Sequence, residues 1–233
     1  MPRFKLELEY NGSGLVGWQR QKEGLSVQGL LEKAIHGFCG KHIVVTGAGR
    51  TDAGVHALRQ VAHFDLPFEA NVKTLRDALN DHLRRINNGE RKISILSSEL
   101  VPSEFNARFS AVERTYIYRI INRSAPLTLE HGRAWQVYHP LNISLMHQAA
   151  QTLIGKHDFT AFRSINCQAS SPIKTLDYLA VESIETSVSI EARARSFLHN
   201  QVRAITGTLV NDGNFEGTFY SEDVEGRTID EGF

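Results

Sequence analysis

Four apolar side chains near the start of the chain, Phe4, Leu6, Leu8 and Tyr10, alternate with Lys5, Glu7 and Glu9. A period of two sends every second side chain to one face, so this segment must fold as a strand with one face buried and the other polar. Asn11-Gly12 then ends it. Such a strand needs a layer over its apolar face, and the next pattern supplies one. Val27, Leu30, Leu31, Ala34, Ile35 and Phe38 fall at helical spacing behind Ser26, a good N-cap, and Gly40 suits the end. The spacing further predicts short strands at 42–46 and 60–65, a helix over 72–84 through Val72, Leu75, Leu79 and Leu83, and a strand at 92–97.

The second half begins again with a strand, Arg114 to Asn122. A helix from Ile143 to Ile154 follows, with Leu145, Met146, Ala149, Ala150 and Leu153 on one face and Gly155 as its stop. Strands at 176–183 and 188–195 precede a last helix containing Leu198, Val202, Ile205 and Leu209. Strands this short, punctuated by helices in both halves, predict an α+β fold with mainly antiparallel sheet. The boundary between halves is expected near Pro102 to Ser110, giving segments 1–105 and 106–210 and an acidic tail over 211–233.

The net charge is zero, from 26 Lys and Arg against 26 Asp and Glu, yet it is unevenly spread. Residues 210–233 carry seven acids and one base, which leaves 25 bases against 19 acids in residues 1–209. A basic body is compatible with a nucleic-acid partner without demanding one. Two cysteines, Cys39 and Cys167, exclude a disulfide framework and a four-cysteine zinc cage, and both are expected as small buried side chains. The start alternates charged and apolar residues instead of forming a signal peptide, and no run of eighteen apolar residues occurs. A cytoplasmic protein with no membrane partner is expected.

The densest chemical signal is Gly47-Ala48-Gly49-Arg50-Thr51-Asp52-Ala53-Gly54-Val55-His56, between two predicted strands. A dinucleotide fingerprint fails because its third glycine position is Asp52, whose charge opposes a pyrophosphate. A P-loop counted from Gly49 reaches Gly54, but Val55-His56 stand where Lys and Ser or Thr must hold phosphate and magnesium. No HExxH, GxSxG or CxxC occurs. What remains is a carboxylate among small residues with an arginine two positions before it. Asp52 can then be a nucleophile or base, or can simply hydrogen-bond its own loop.

The string Ala48 to Ala57 closely resembles the catalytic signature of the tRNA pseudouridine synthases of the TruA family. Further stretches agree in order: Gly17 to Gln21, Ser26 to Gln28, Gln60 to Phe64, Phe105 to Ala111, Arg114 to Tyr118, His157 to Arg163 and Phe197 to Arg203. The resemblance covers about residues 3–210 and implies two ferredoxin-like halves sharing a mainly antiparallel sheet with a central active-site cleft. It implies isomerisation of uridine to pseudouridine at positions 38, 39 and 40 of the tRNA anticodon stem-loop, without metal or organic cofactor, by a homodimer. Asp52 matches the catalytic carboxylate, Arg203 the arginine paired with it, and Tyr116 the ring that stacks on the extruded base. Arg50, Arg20, Arg108 and Arg163 are expected to bind RNA phosphates.

Without the resemblance, Tyr116 reads first as core, since Tyr116, Tyr118 and Ile120 share one strand face, and Arg203 as a surface residue. Trp18 is expected to anchor its loop and His56 to brace its own. Beyond Val210 the sequence departs from the family's glycine-rich loop, helix and terminal strand. A competing expectation is therefore a degenerate, non-catalytic RNA-binding protein whose sheet edge is left uncovered. A metabolic nucleotide enzyme is weaker, because both phosphate-loop tests fail.

Overall fold

The computed structural model describes residues 1–165 and 167–213. The acidic tail predicted from the sequence thus lies, from residue 214 onward, outside the described residues. The chain divides into two compact units, Met1–Ala111 and Val112 onward.

In the first unit the strands β1 (Arg3–Tyr10), β2 (Thr46–Gly47), β3 (Ala57–Asp65) and β4 (Ile93–Val101) form one sheet in the order β2-β3-β1-β4. All three pairings are antiparallel. Phe4, Leu6 and Leu8 of the central β1 are fully buried, covered by the helices α1 (Val27–Cys39) and α2 (Val72–Ile86) through Leu30, Leu31, Ile35, Leu75, Leu79 and Leu83. Burying each such side chain contributes about 1.5–3 kcal/mol. The helices start where their caps allow. Ser26 Oγ accepts from the Gly29 N–H and Asn71 Oδ1 from the Thr74 N–H. On the opposite sheet face Arg3 pairs with Asp65, Lys5 with Glu99 and Arg59 with Glu7 across neighbouring strands.

The strand predicted at 42–46 is a correction: only Thr46–Gly47 pair with β3. Val45, within it, is taken instead by side chains of α1, its N–H donating to Glu32 Oε1 (3.2 Å) and its carbonyl accepting from Gln28 Nε2 (3.0 Å). These bonds replace the ladder that the β-branched run suggests.

In the second unit β5 (Arg114–Asn122), β6 (Trp135–Val137), β9 (Tyr178–Ile184) and β10 (Ser187–Ala194) form a sheet in the order β6-β5-β10-β9, antiparallel except for β5 with β6. Helices α3 (Ile143–Thr152) and α4 (Gln201–Asp212) share its core, where Met146, Ala150, Ile205 and Leu209 meet Ile120, Val181 and Ile190. A separate ribbon pairs β7 (Gly155–Asp158) with β8 (Ile173–Leu176). The strand predicted at 176–183 is thus two strands, broken at Asp177, whose N–H donates to the Arg193 carbonyl. Leu198 is core but lies outside the helix, its N–H taken by Gln201 Oε1 at 2.8 Å. Both cysteines are only partly buried.

Candidate functional site

The segment from Ala48 to His56 links β2 to β3. The ladder makes its last bond at Ala48, whose N–H donates to the Val61 carbonyl at 2.8 Å, and beyond it other contacts must hold the chain. The Val55 N–H donates to the Asp52 carbonyl at 3.2 Å, and Gly54 has φ of 76°. Asp52 therefore occupies the first position of a four-residue turn whose third position needs a positive φ, which glycine adopts without strain.

Two preceding segments clamp this turn. The Trp18 N–H donates to the Thr51 carbonyl at 3.0 Å and the Gly54 N–H to the Leu15 carbonyl at 3.3 Å. Tyr10 Oη lies 2.8 Å from Thr51 Oγ1, and Gln60 Nε2 donates to the Gly49 carbonyl at 3.2 Å. The Gly12 N–H donates to His56 Nδ1 at 3.2 Å, so that nitrogen is an acceptor and His56 braces its loop. Trp18 is 2% exposed, with its ring tilted against that of Tyr10. It anchors the loop from within the core. Asp52 is half-buried and Arg50 exposed.

Arg20 and Arg108 also belong to the first unit. Arg20 is exposed and pairs with Glu32 at 2.9 Å, while its backbone N–H is held by Gln28 Oε1. Arg108 is exposed over the Phe109 ring, in a turn where Asn106 Oδ1 accepts from the N–H groups of Arg108 and Phe109. That turn is fastened to the sheet from below. The Ala107 N–H donates to His63 Nδ1 at 3.1 Å, and Arg3 Nη1 donates to the carbonyls of Ser103 and Phe105. Burial, then the nearby Arg3 charge, push the His63 pKa below its ordinary value, with Asp65 opposing. The Arg3 guanidinium beside Asp65 holds that carboxyl below the usual carboxylate range, against the opposing effect of burial.

Tyr116, Arg163 and Arg203 lie in the second unit. Ile120 is fully buried on β5, whereas Tyr118 and Tyr116 are half-buried, so the shared face emerges from the core towards Tyr116. The Tyr116 ring meets Phe197 edge-on, with centroids 5.1 Å apart. Phe197 leads into α4, where Arg203 stands exposed in the first turn. Burial raises the Tyr118 pKa, and the positive charge of Arg203 opposes that rise, which puts Arg203 within electrostatic reach of β5. Arg163 Nη2 donates to the carbonyls of Cys167 (3.0 Å) and Ala169 (2.9 Å). The loop so braced is tied to the start of α4, since the Ser164 N–H donates to the His199 carbonyl and the His199 N–H to Cys167 Sγ. Burial pushes the Cys167 thiol up, but the His199 and Ala169 N–H groups and the Arg163 guanidinium outweigh it and leave its pKa below the ordinary value.

The structure thus groups Asp52, Arg50, Arg20 and Arg108 within one unit and Tyr116, Arg163 and Arg203 within the other. Sequence reasoning missed the positioning groups, namely Tyr10, Gln28, Gln60 and Phe197. Gln28, Gln60 and Phe197 stand in stretches that carry the resemblance, whereas Tyr10 is marked only as a tyrosine on a strand face otherwise made of phenylalanine and leucine. Among the described residues, no three His, Cys, Asp or Glu side chains come together as a metal-ligand group. Nor is any described helix long and apolar enough to cross a membrane.

Comparison with known proteins gives the arrangement its class. A family model described as tRNA pseudouridine synthase matches residues 149–224. The chain is 55% identical over 217 residues to tRNA pseudouridine synthase A of Parvibaculum lavamentivorans, covering 92% of this chain and 86% of that protein. It is 51% identical over 225 residues to the protein of the same name from Sinorhizobium fredii, covering 97% and 89%. The chain belongs to the tRNA pseudouridine synthase A family.

Proposed function

We propose that this protein isomerises uridine to pseudouridine in the anticodon stem-loop of tRNA, at positions 38, 39 and 40, with Asp52 as the catalytic carboxylate. One observation carries the reading: the aspartate of the signature string stands half-buried at the head of a clamped turn, in a chain whose relatives are named for this activity. The reaction breaks the bond from ribose C1′ to uracil N1, turns the base and joins C1′ to C5. A proton leaves C5 and another is taken up at N1, so no electrons are gained or lost and no group donor is needed. Attack at C6 of the base or at C1′ of the ribose both use an ionised carboxylate.

A stem uridine must leave its stack to reach the aspartate, and an aromatic face lowers that cost. Tyr116 supplies the face in this proposal. Arg203 keeps the role that the resemblance gives it, partner to the carboxylate. Arg50, Arg20 and Arg108 donate to phosphates and fix the position of the RNA without reading its sequence. Arg163 contributes to substrate binding by holding the carbonyls of Cys167 and Ala169. Two ferredoxin-like halves sharing a sheet around a central cleft, a homodimer, cytoplasmic placement and independence of cofactors are parts of the same proposal and rest on the family.

The test is tritium release from tRNA carrying uridine labelled at C5, comparing this chain with Asp52→Asn. Release by the unmodified chain alone is expected. A folded, tRNA-binding sample that releases nothing would overturn the reading in favour of a non-catalytic RNA-binding protein.

A further inference from the structure

The geometry points to Tyr10 as a positioning residue for catalysis, acting on Asp52 through Thr51. This inference rests on the proposed role of Asp52.

Tyr10 ends the central strand β1 on its buried face, below Leu8, and is 4% exposed. A packing role there needs only the ring, and the neighbouring positions of the same face are leucine and phenylalanine. The hydroxyl is the additional feature. It lies 2.8 Å from Thr51 Oγ1 and also engages the side chain of Gln60. Gln60 in turn donates to the Gly49 carbonyl. The phenol thereby holds Thr51 directly and reaches Gly49, on the other side of Arg50, only through Gln60. Burial raises the Tyr10 pKa, so the phenol stays protonated and neutral at physiological pH.

Thr51 is held at one further place, and the residue after it at another. Its carbonyl accepts from the Trp18 N–H, and the next residue, Asp52, begins the turn closed by the Val55 N–H. With the Thr51 side chain and carbonyl both fixed, the backbone that presents Asp52 has little freedom left, and the Cα from which its carboxylate projects is held in place. A register shift lies beside this point. Leu8 pairs with Gln60 but Tyr10 pairs with Ala57, so β3 carries one extra residue against β1. Such bulges re-aim side chains next to functional loops. Here the bulge brings the start of β3 opposite Tyr10, immediately after the 48–56 loop. A nucleophile has to be held within a fraction of an ångström of its productive position, and small misplacements cost rate more than binding.

The test is single-turnover and steady-state kinetics on tRNA for Tyr10→Phe, Thr51→Val, Thr51→Ser and the Tyr10→Phe/Thr51→Val pair, with Asp52→Asn beside them. We expect kcat to fall about tenfold in Tyr10→Phe and in Thr51→Val, with KM and tRNA affinity within about twofold of the unmodified protein. The double variant should lose no more than either single change, because both remove the same contact, and Thr51→Ser should retain most of the rate. Unchanged kcat in Tyr10→Phe, or a loss shared equally by binding and thermal stability, would overturn the positioning role. Should Tyr10→Phe fail to fold, the contrast between Thr51→Val and Thr51→Ser decides the matter alone. An active Asp52→Asn would instead overturn the catalytic reading on which this inference rests.

Discussion

The indole of Trp18 occupies the space that a side chain at position 47 would need. A Cβ on Gly47 would stand 2.4 Å from Cε2 and Cζ2 of the ring, well inside any real contact distance. The ring cannot retreat easily, being 2% exposed within the first unit's core. Gly47→Ala is therefore expected to lower stability by about 1–3 kcal/mol, the usual cost of overpacking, as read from a urea midpoint. Because the Trp18 N–H also holds the Thr51 carbonyl, turnover should fall together with stability. An unchanged midpoint would mean that the indole yields.

Arg50 and Arg163 should respond differently to replacement, although both are expected to serve RNA binding. Arg50 is exposed two positions before Asp52, while Arg163 already donates to two carbonyls of its own loop. Arg50→Ala should reduce the slope of log affinity against log salt by about 0.7–0.9, one phosphate contact's worth. Arg163→Ala should leave that slope nearly unchanged, lower the thermal midpoint and speed amide exchange over 163–169. Filter binding across a salt series, with hydrogen exchange, separates the two. Equal slope changes would place Arg163 on a phosphate.

Local periodicity explains what could be read from the sequence. The strand Arg3–Tyr10 and the helix from the Ser26 cap to Gly40 are fixed by neighbours within a few residues, and both stand as expected. The short pieces were not legible. Trp135–Val137 is a strand only because it lies parallel to Ile120–Asn122, and Gly155–Asp158 only because it pairs with Ile173–Leu176. The candidate aspartate was visible because its chemistry sits in one contiguous string. Its clamp was not, because Tyr10 reaches Thr51 across 41 residues and a period of two reads Tyr10 simply as core.

His63 makes the hold on the Arg108 turn sensitive to acid. Its Nδ1 accepts from the Ala107 N–H, and its pKa is lowered by burial and by Arg3. A histidine depressed in the folded state takes up its proton more readily when unfolded. Its contribution to stability is thus present above the unfolded value of about 6.5 and is lost as pH falls from there through the lower folded value. His63→Asn, whose side-chain oxygen can accept the same bond, should flatten the stability profile over that window. Thermal midpoints taken between about pH 5 and pH 8 check this. Parallel profiles for the two proteins would contradict the assignment.

Tyr116 offers the sharpest division between packing and substrate roles. Its ring meets Phe197 edge-on at 5.1 Å, in contact with the segment that leads to Arg203. Tyr116→Phe keeps that ring pair and the stacking face and removes only the hydroxyl. Tyr116→Ala removes both, and with them about 0.5–1.5 kcal/mol of ring pairing beyond the buried area. If the ring stacks on the extruded uridine, Tyr116→Phe should retain most of the tRNA affinity and of the turnover. Tyr116→Ala should then lose turnover by about tenfold or more, a stacked base being worth about 1–3 kcal/mol. A substrate whose target uridine is already unpaired by a mismatch should recover part of the loss in Tyr116→Ala, because extrusion then costs less. A structural role predicts no such recovery, since a mismatch in the RNA cannot repair the Phe197 contact. Single-turnover rates on paired and mismatched anticodon arms, with thermal midpoints for both variants, decide between the two roles.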